Sequence, residues 1–399
     1  MSLDRHRRPV IAGLGLTELG RVYGRSATNF AIDAIRAAVA DAGLRLDEVD
    51  GLLTSGGTSG GVGLGLQRDL DLRDLRLLSE MQGFGSTAGG MVQVASMAVQ
   101  SGTAEVVVCV FADSPLRPDR SAGDVYGSGR RPTGDQRAMR PLTGWGGLLA
   151  ATGVIGANNL YALAARRHML RYGTTTDDFG AVAVAQRAWA VHNPHAQMRE
   201  PLTLEDYRAS RWIADPFRLL DCCLVSNGGV AVVVTTEERA RSLAQPPVYV
   251  RGWAQCHPGH LFDRDEDFGL VTGASRSGPA ALAMAEVKLE EVDVAELYDC
   301  YTFTLLVSLE DYGFCPKGEG GPFVSSGALG PQGRLKCNTG GGQLSSYYMW
   351  GMTPLSEGII QARGQGGERQ AYPHDVVLVS GNGGILDHHA TLVLGTGPV

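Results

Sequence analysis

Residues 338–352 read N-T-G-G-G-Q-L-S-S-Y-Y-M-W-G-M. This glycine-rich turn follows a short apolar lead-in and precedes a helix-like run, TPLSEGIIQARG. A turn of this kind feeding a helix offers backbone N–H groups and the positive end of the helix dipole to whatever sits there. Two phenols, Tyr347 and Tyr348, stand in it.

Strands and helices alternate outward from this turn. PVIAGLGLTELG predicts a strand, and Thr28 predicts the cap of a helix with Phe30, Ile32, Ile35 and Val39 at helical spacing, ending at Gly43. VDGLLTSGG is the next strand. A small-residue helix spans Ser86 to Gly102, followed by a continuous apolar strand from Val106 to Phe111. Asp113 to Gly147 reads as a surface excursion. Two helices follow, ANNLYALAARRHMLRYG and the capped TTTDDFGAVAVAQRAWAVHN, then a polar stretch through PLTLEDYRAS. Asp221 to Thr235 predicts strand, tight turn, strand.

The second half repeats this logic after Gln245-Pro246-Pro247. PVYVRGWAQC is a strand, SGPAALAMAEVKL a helix, and VAELYDCYTFTLLVSLEDYG a strand that continues as a helix. After the Asn338 turn and its helix come two strands, Asp375 to Ile385 and His389 to Gly395. Each half holds a glycine-rich helix, a buried strand and a later strand pair. This is a degenerate duplication, with halves at 1–245 (including a loop insertion at about 113–215) and 246–399. Alternating strands and helices imply sheets covered by helices.

Composition narrows the function. The 399 residues carry 35 basic and 42 acidic side chains, a balance that argues against a nucleic-acid binder. No apolar run reaches the ~18 residues of a membrane span, and MSLDRHRRPV lacks the apolar core of a signal peptide. The basic R5-H-R-R8 reads as a solvated tail. Seven scattered cysteines form no C-x-x-C pair, so no zinc site or redox dithiol is expected, and a reducing cytoplasm fits best. Gly13 lies in G-L-G-L-T, which lacks the spacing of a dinucleotide fingerprint.

Four segments carry a family resemblance: S86-T-A-G-G-M-V-Q-V-A-S-M-A-V-Q-S-G-T-A-E105, E296-L-Y-D-C-Y301, the Asn338 turn, and S380-G-N-G-G-I385. In order and spacing they resemble the thiolase superfamily, nearest its lipid-transfer-protein or sterol-carrier-protein-type branch. The resemblance spans essentially the whole chain. It implies an α/β thiolase fold, two pseudo-duplicated halves stacked as five layers (αβαβα). In that register the nucleophilic cysteine falls on Gly85, the second cysteine on Gly381, the histidine on Tyr348, and the Asn or His of a further motif on Tyr298. Without a thiol, acyl transfer through a cysteinyl thioester has no usual route. Ser86, beside the vacated position, has no evident histidine partner.

The backbone N–H groups of Gly85 and Gly383 match the hole that holds a thioester oxygen, a device that suits an enolate equally well. The branch that keeps this hole, lacks the cysteines and carries two tyrosines is the steroid side-chain-cleaving aldolases. The resemblance therefore implies retro-aldol cleavage of a β-hydroxyacyl-CoA to a ketone (a 17-ketosteroid in the steroid case) and a shorter acyl-CoA such as propionyl-CoA. Tyr348 and Tyr298 are the candidate proton carriers, Tyr348 nearer the β-hydroxyl, with acid and base roles interchangeable. Asp299, Asn338 and His389 are supporting candidates, while Tyr347, Tyr301 and Cys300 read as structural. This chain is expected to bind no cofactor or metal. CoA is part of the substrate, and zinc belongs to a small OB-fold and zinc-ribbon partner protein. A homodimer core is implied as well. Two alternatives stand beside this reading: a non-catalytic acyl-CoA or lipid-binding subunit, and a thiolase or acyltransferase with an unusual nucleophile.

Overall fold

The computed structural model describes residues 7–119, 151–154, 156–259 and 261–398. Arg5 and His6 of the basic tail lie outside them, as does most of the 113–147 excursion. Arg7 donates to the Val99 carbonyl and to Glu105, and Arg8 pairs with Glu237, so this part of the tail is docked rather than solvated. Five strands of the first half run in the order β1 (Pro9–Leu16), β5 (Gly228–Thr236), β4 (Val107–Asp113), β2 (Gly51–Gly56), β3 (Leu77–Glu80). Those of the second half run β6 (Val248–Cys256), β10 (His388–Gly395), β9 (Val376–Gly383), β7 (Val294–Glu296), β8 (Lys336–Cys337). Both sets share one pattern. Their first three strands pair antiparallel in succession, and the outer pairings are parallel. The two sets join where β1 pairs with β6, Val10 opposite Tyr249.

Helices lie on both faces. α1 (Ala27–Ala42) covers the first sheet and α5 (Ala274–Met284) the second. Between the sheets lie α2 (Thr87–Ser101) and α7 (Met352–Ala362), each touching strands of both halves. α6 (Thr302–Tyr312) packs beside α5 and against α4 (Thr176–Ala190), which follows α3 (Ala157–Tyr172). The five expected layers are present.

Local chemistry explains these positions. The buried face of α1 is Phe30, Ala31, Ala34, Ile35, Ala38 and Val39. Each large apolar side chain so buried contributes roughly 1.5–3 kcal/mol. The cap is Ser26, whose hydroxyl accepts the Asn29 N–H, rather than the expected Thr28, whose hydroxyl donates to the Gly61 carbonyl. Gly13 and Gly15 let α1 lie directly on β1. An added methyl would stand 2.1 Å from the Ala38 carbonyl oxygen and 2.2 Å from that of Ala34. Gly252 does the same for α5 on β6, 2.2 Å from the Ala281 oxygen. The glycines of G-L-G-L-T therefore serve helix–sheet contact.

Two local expectations change. Asp221–Asn227 does not form a strand. It runs irregularly, held by single bridges from Cys222 to Tyr301 and from Asn227 to Gly20. The polar stretch near 204 hides a short helix, Leu204–Ala209, capped reciprocally by Thr203 and Asp206.

Candidate active site

Four chain segments meet where the two halves face each other. The first leaves β7 through Leu297 to Tyr298. Asn338 pins it, its Oδ1 accepting the Leu297 N–H at 2.6 Å and its Nδ2 donating to the Leu297 carbonyl at 2.8 Å. Asn338 holds φ +50°, a left-handed conformation that asparagine tolerates. The second segment is the turn that follows it. It does not feed α7 directly: residues Gly342–Ser346 form one π-helical turn, Tyr347 is extended, and α7 begins only at Met352. The dipole expected at Tyr348 from an adjoining helix is thus replaced by side-chain anchoring. The Tyr348 N–H donates to Ser226 Oγ at 2.9 Å, and Gln197 Nε2 donates to the same oxygen at 2.7 Å.

These two segments bring the predicted phenols together. The Tyr298 and Tyr348 hydroxyl oxygens lie 3.2 Å apart, within hydrogen-bond distance. Tyr298 is 3% exposed, whereas Tyr348 is half-buried.

The other two segments are glycine turns. Gly85 lies in a 3₁₀ turn, Phe84–Ser86, that opens α2, so its N–H belongs to the positive end of that helix. Gly383 ends β9. A methyl on Gly383 would stand 3.1 Å from the Gly85 nitrogen and 2.2 Å from the Gly83 oxygen. A methyl on Gly85 would fall 2.2 Å from Tyr298 Cζ, 2.3 Å from its Cε2 and 2.1 Å from the Asn382 oxygen. One on Gly381 would fall 2.5 Å from the Gly85 oxygen. The space where a side chain would project from Gly85 is filled by the Tyr298 ring.

Burial governs the electrostatics. It holds the Tyr298 phenol well above its ordinary range, reinforced by the nearby Cys300 thiol and opposed by the Tyr348 hydrogen bond. Burial likewise raises Asp299 to about 7, against the stabilising Gln343 N–H, which donates to Asp299 Oδ1 at 2.8 Å. Asp299 Oδ2 and both side-chain polar atoms of Gln186 are buried with no hydrogen-bond partner among the described residues. They crowd one point, since a methyl on Gly342 would meet Asp299 Oδ2 at 2.0 Å and Gln186 Oε1 at 2.6 Å. Cys300 is pushed up to about 12 by burial, and Cys223 well above its usual range by the same cause.

The remaining candidates separate cleanly. His389 is fully buried, its Nε2 lies 2.9 Å from the Tyr312 hydroxyl, and burial lowers it to about 3. It is a neutral side chain engaged with α6 rather than with the phenol pair. Ser86 Oγ donates to the Gly83 carbonyl at 2.7 Å, which makes it a turn hydroxyl. Tyr347 bonds Ser356 Oγ at 2.7 Å, and Tyr301 bonds Asn158. Sequence reading missed Ser226, Gln197 and Gln186. Nothing in the sequence pointed to Ser226, which lies in a segment expected as strand, or to the two glutamines. Among the described residues no group of three or more His, Cys, Asp or Glu side chains is arranged to hold a metal, and no helix is long and apolar enough to cross a membrane.

Layers, duplicated sheets and paired glycine turns define a thiolase-fold protein. A family model described as thiolase C-terminal domain-like matches residues 254–396. A steroid side-chain-cleaving aldolase of Thermomonospora curvata is 39% identical over 386 residues, covering 94% of this chain and 95% of the relative. A 17-hydroxy-3-oxo-4-pregnene-20-carboxyl-CoA lyase of Mycobacterium tuberculosis is 36% identical, covering 94% and 96%. The solved Ltp2-ChsH2(DUF35) aldolase superposes with a TM-score of 0.84 at 36% identity, with 97% of each chain covered. The chain belongs to the steroid side-chain-cleaving aldolase family of the thiolase superfamily.

Proposed function

We propose that this chain is the catalytic subunit of a carbon–carbon lyase that cleaves a β-hydroxyacyl-CoA, with a steroid side-chain thioester as substrate and a 17-ketosteroid and propionyl-CoA as products. The observation that carries this reading is the substitution in space at Gly85. A phenol, hydrogen-bonded to a second phenol, stands where a thiolase nucleophile would project, beside the backbone groups suited to a thioester oxygen.

The chemistry balances without a covalent intermediate. Tyr348, the less buried phenol, takes the β-hydroxyl proton as its phenolate. The Cα–Cβ bond breaks, the β-carbon becomes the ketone, and the electron pair moves into an enolate whose oxygen is held by the Gly85 and Gly383 N–H groups. The tyrosine pair then returns a proton to Cα. Tyr298 is the better proton holder because burial penalises its phenolate more strongly. An isolated phenol is ionised in only about one molecule in a thousand at neutral pH, so the 3.2 Å contact supports the reaction by stabilising whichever oxygen carries the charge.

The assembly follows from the same reading. The chain itself carries no cofactor. CoA arrives on the substrate, and the chain works with a DUF35-type partner such as the solved Ltp2-ChsH2(DUF35) aldolase is named for, which on this reading has OB-fold and zinc-ribbon parts and holds the zinc. Two copies form the core, for which the open sheet edge at β3 offers a surface. The free cysteines suit a cytoplasmic setting.

The test is turnover of a steroid β-hydroxyacyl-CoA by the chain co-expressed with its partner. Ketone and shorter acyl-CoA should appear in equal amounts with no added CoA. A requirement for free CoA, or an acyl adduct on the protein by mass spectrometry, would overturn the reading in favour of a thiolase with an unusual nucleophile. Binding without cleavage would favour the non-catalytic subunit.

A further inference from the structure

The chain leaves the glycine cradle in an unfavourable conformation. Gly383 ends β9, and the next three residues, Gly384, Ile385 and Leu386, hold φ of +63°, +58° and +71°. Glycine enters this region freely, but a β-branched isoleucine there is a genuine outlier. Such a run persists only where its surroundings over-determine it.

Arg264 supplies those surroundings. Its side chain is 1% exposed. Nη1 donates to the Leu386 carbonyl at 2.9 Å and Nη2 to the Val271 carbonyl. The Asp387 carboxylate lies 4.0 Å away. The following residue, Asp265, also has a positive φ, +42°, and its carbonyl accepts from Arg167 of α3 at 2.6 Å. Leu386 is fully buried, which anchors the far end of the run. A planar guanidinium can bridge two carbonyls in fixed geometry, which an ammonium on a flexible stem does less well.

We propose that Arg264 is a positioning residue for the enolate hole: its guanidinium ties the left-handed Gly384–Leu386 turn to Val271 and so fixes the direction of the Gly383 N–H. The role of the hole itself rests on the aldolase reading. The clamp is needed because Ile385 resists the conformation the turn requires.

The experiment compares Arg264→Gln, Ile385→Gly and the double variant, each in complex with the partner protein. The readouts are kcat, KM and affinity for 2-nitropropionyl-CoA, whose nitronate mimics the enolate. Arg264→Gln should lower kcat by about 100-fold, the scale of one lost hole donor, with KM nearly unchanged and nitronate affinity reduced in parallel. Adding Ile385→Gly should recover about tenfold or more of both losses, since glycine takes the left-handed turn without help. An Arg264→Gln variant with kcat and nitronate affinity within about threefold of wild type overturns the proposal, as does a double variant no better than Arg264→Gln alone. If Arg264→Gln does not fold, Arg264→Lys carries the same comparison with a smaller loss. Absence of cleavage by the wild type would sink the aldolase reading instead, and the nitronate arm would still decide the clamp.

Discussion

Gly85 and Tyr298 are fitted so closely that a methyl group on the first would fall 2.2 Å from Cζ of the second. The contact joins two changes that look independent in sequence. On the proposed reading, glycine at 85 leaves room for the ring, and the ring brings a proton carrier against the proposed hole. Gly85→Ala should therefore cost activity out of proportion to its size. The Asn382 carbonyl, 2.1 Å from the same point, blocks the other direction of relief. We expect a kcat loss of at least about 100-fold with a folded protein, because the hole and the phenol are displaced together. Kinetics and circular dichroism check this; an alanine variant of near-normal kcat would mean that the cradle is not the reacting centre.

The phenol pair should behave as one unit. Tyr298→Phe and Tyr348→Phe each remove a hydroxyl from the 3.2 Å contact, and each should lower kcat by about 10²–10⁴-fold, the usual worth of a positioned acid or base. The double variant should be little worse than either single one, since groups that act together lose their function together. Strictly multiplicative losses would show two separate roles.

The pH–rate profile should carry the mark of a phenol. Burial holds Tyr298 protonated well above the ordinary phenol value, and even an ordinary phenol gives up its proton only in alkaline solution, at about pH 10. The active form gains as that proton leaves, so kcat/KM should climb across neutral pH with no plateau below about pH 9 while the protein stays folded. A plateau near pH 7 would point to a carboxyl or imidazole base.

Much of this site was legible because it depends on residue order. The three glycine-bearing segments and E296-L-Y-D-C-Y301, with the two tyrosines, fix the duplicated layers and the pair at their centre. The supporting shell was not legible. Ser226 lies 122 positions from Tyr348, whose N–H it accepts, and no local pattern announces that bond. Gln186 sits on α4 among apolar neighbours and reads as a helix residue until Asp299 and Gly342 are folded against it. The helix-dipole expectation at Tyr348 failed for a local reason: the π-helical turn at Gly342–Ser346 keeps Tyr348 four residues ahead of α7. His389 looked close in sequence to the G-N-G-G turn. It lies opposite Asn382 in the β9–β10 ladder, where its ring reaches Tyr312.

Asp299 gives the clearest link between the site and stability. Burial raises it to about 7 from an ordinary value of 3.8. Between about pH 4 and pH 7 the folded protein therefore holds a proton that the unfolded chain has released. Where the folded state binds more protons, stability falls as pH rises, so this carboxyl weakens the fold across that window and no further above it. Asp299→Asn cannot ionise. Its amide oxygen can still accept the Gln343 N–H, and its NH₂ can donate towards Gln186 Oε1. The variant should thus gain on the wild type as pH rises from 4 to 7, by up to roughly 4 kcal/mol if the whole shift is expressed, and then run parallel to it. Thermal or urea unfolding of both proteins at pH 4.5, 6 and 8 measures that difference. Equal destabilisation of the variant at all three values would mean that Asp299 is ionised in the fold and that its charge, rather than its proton, holds the Gln343 turn.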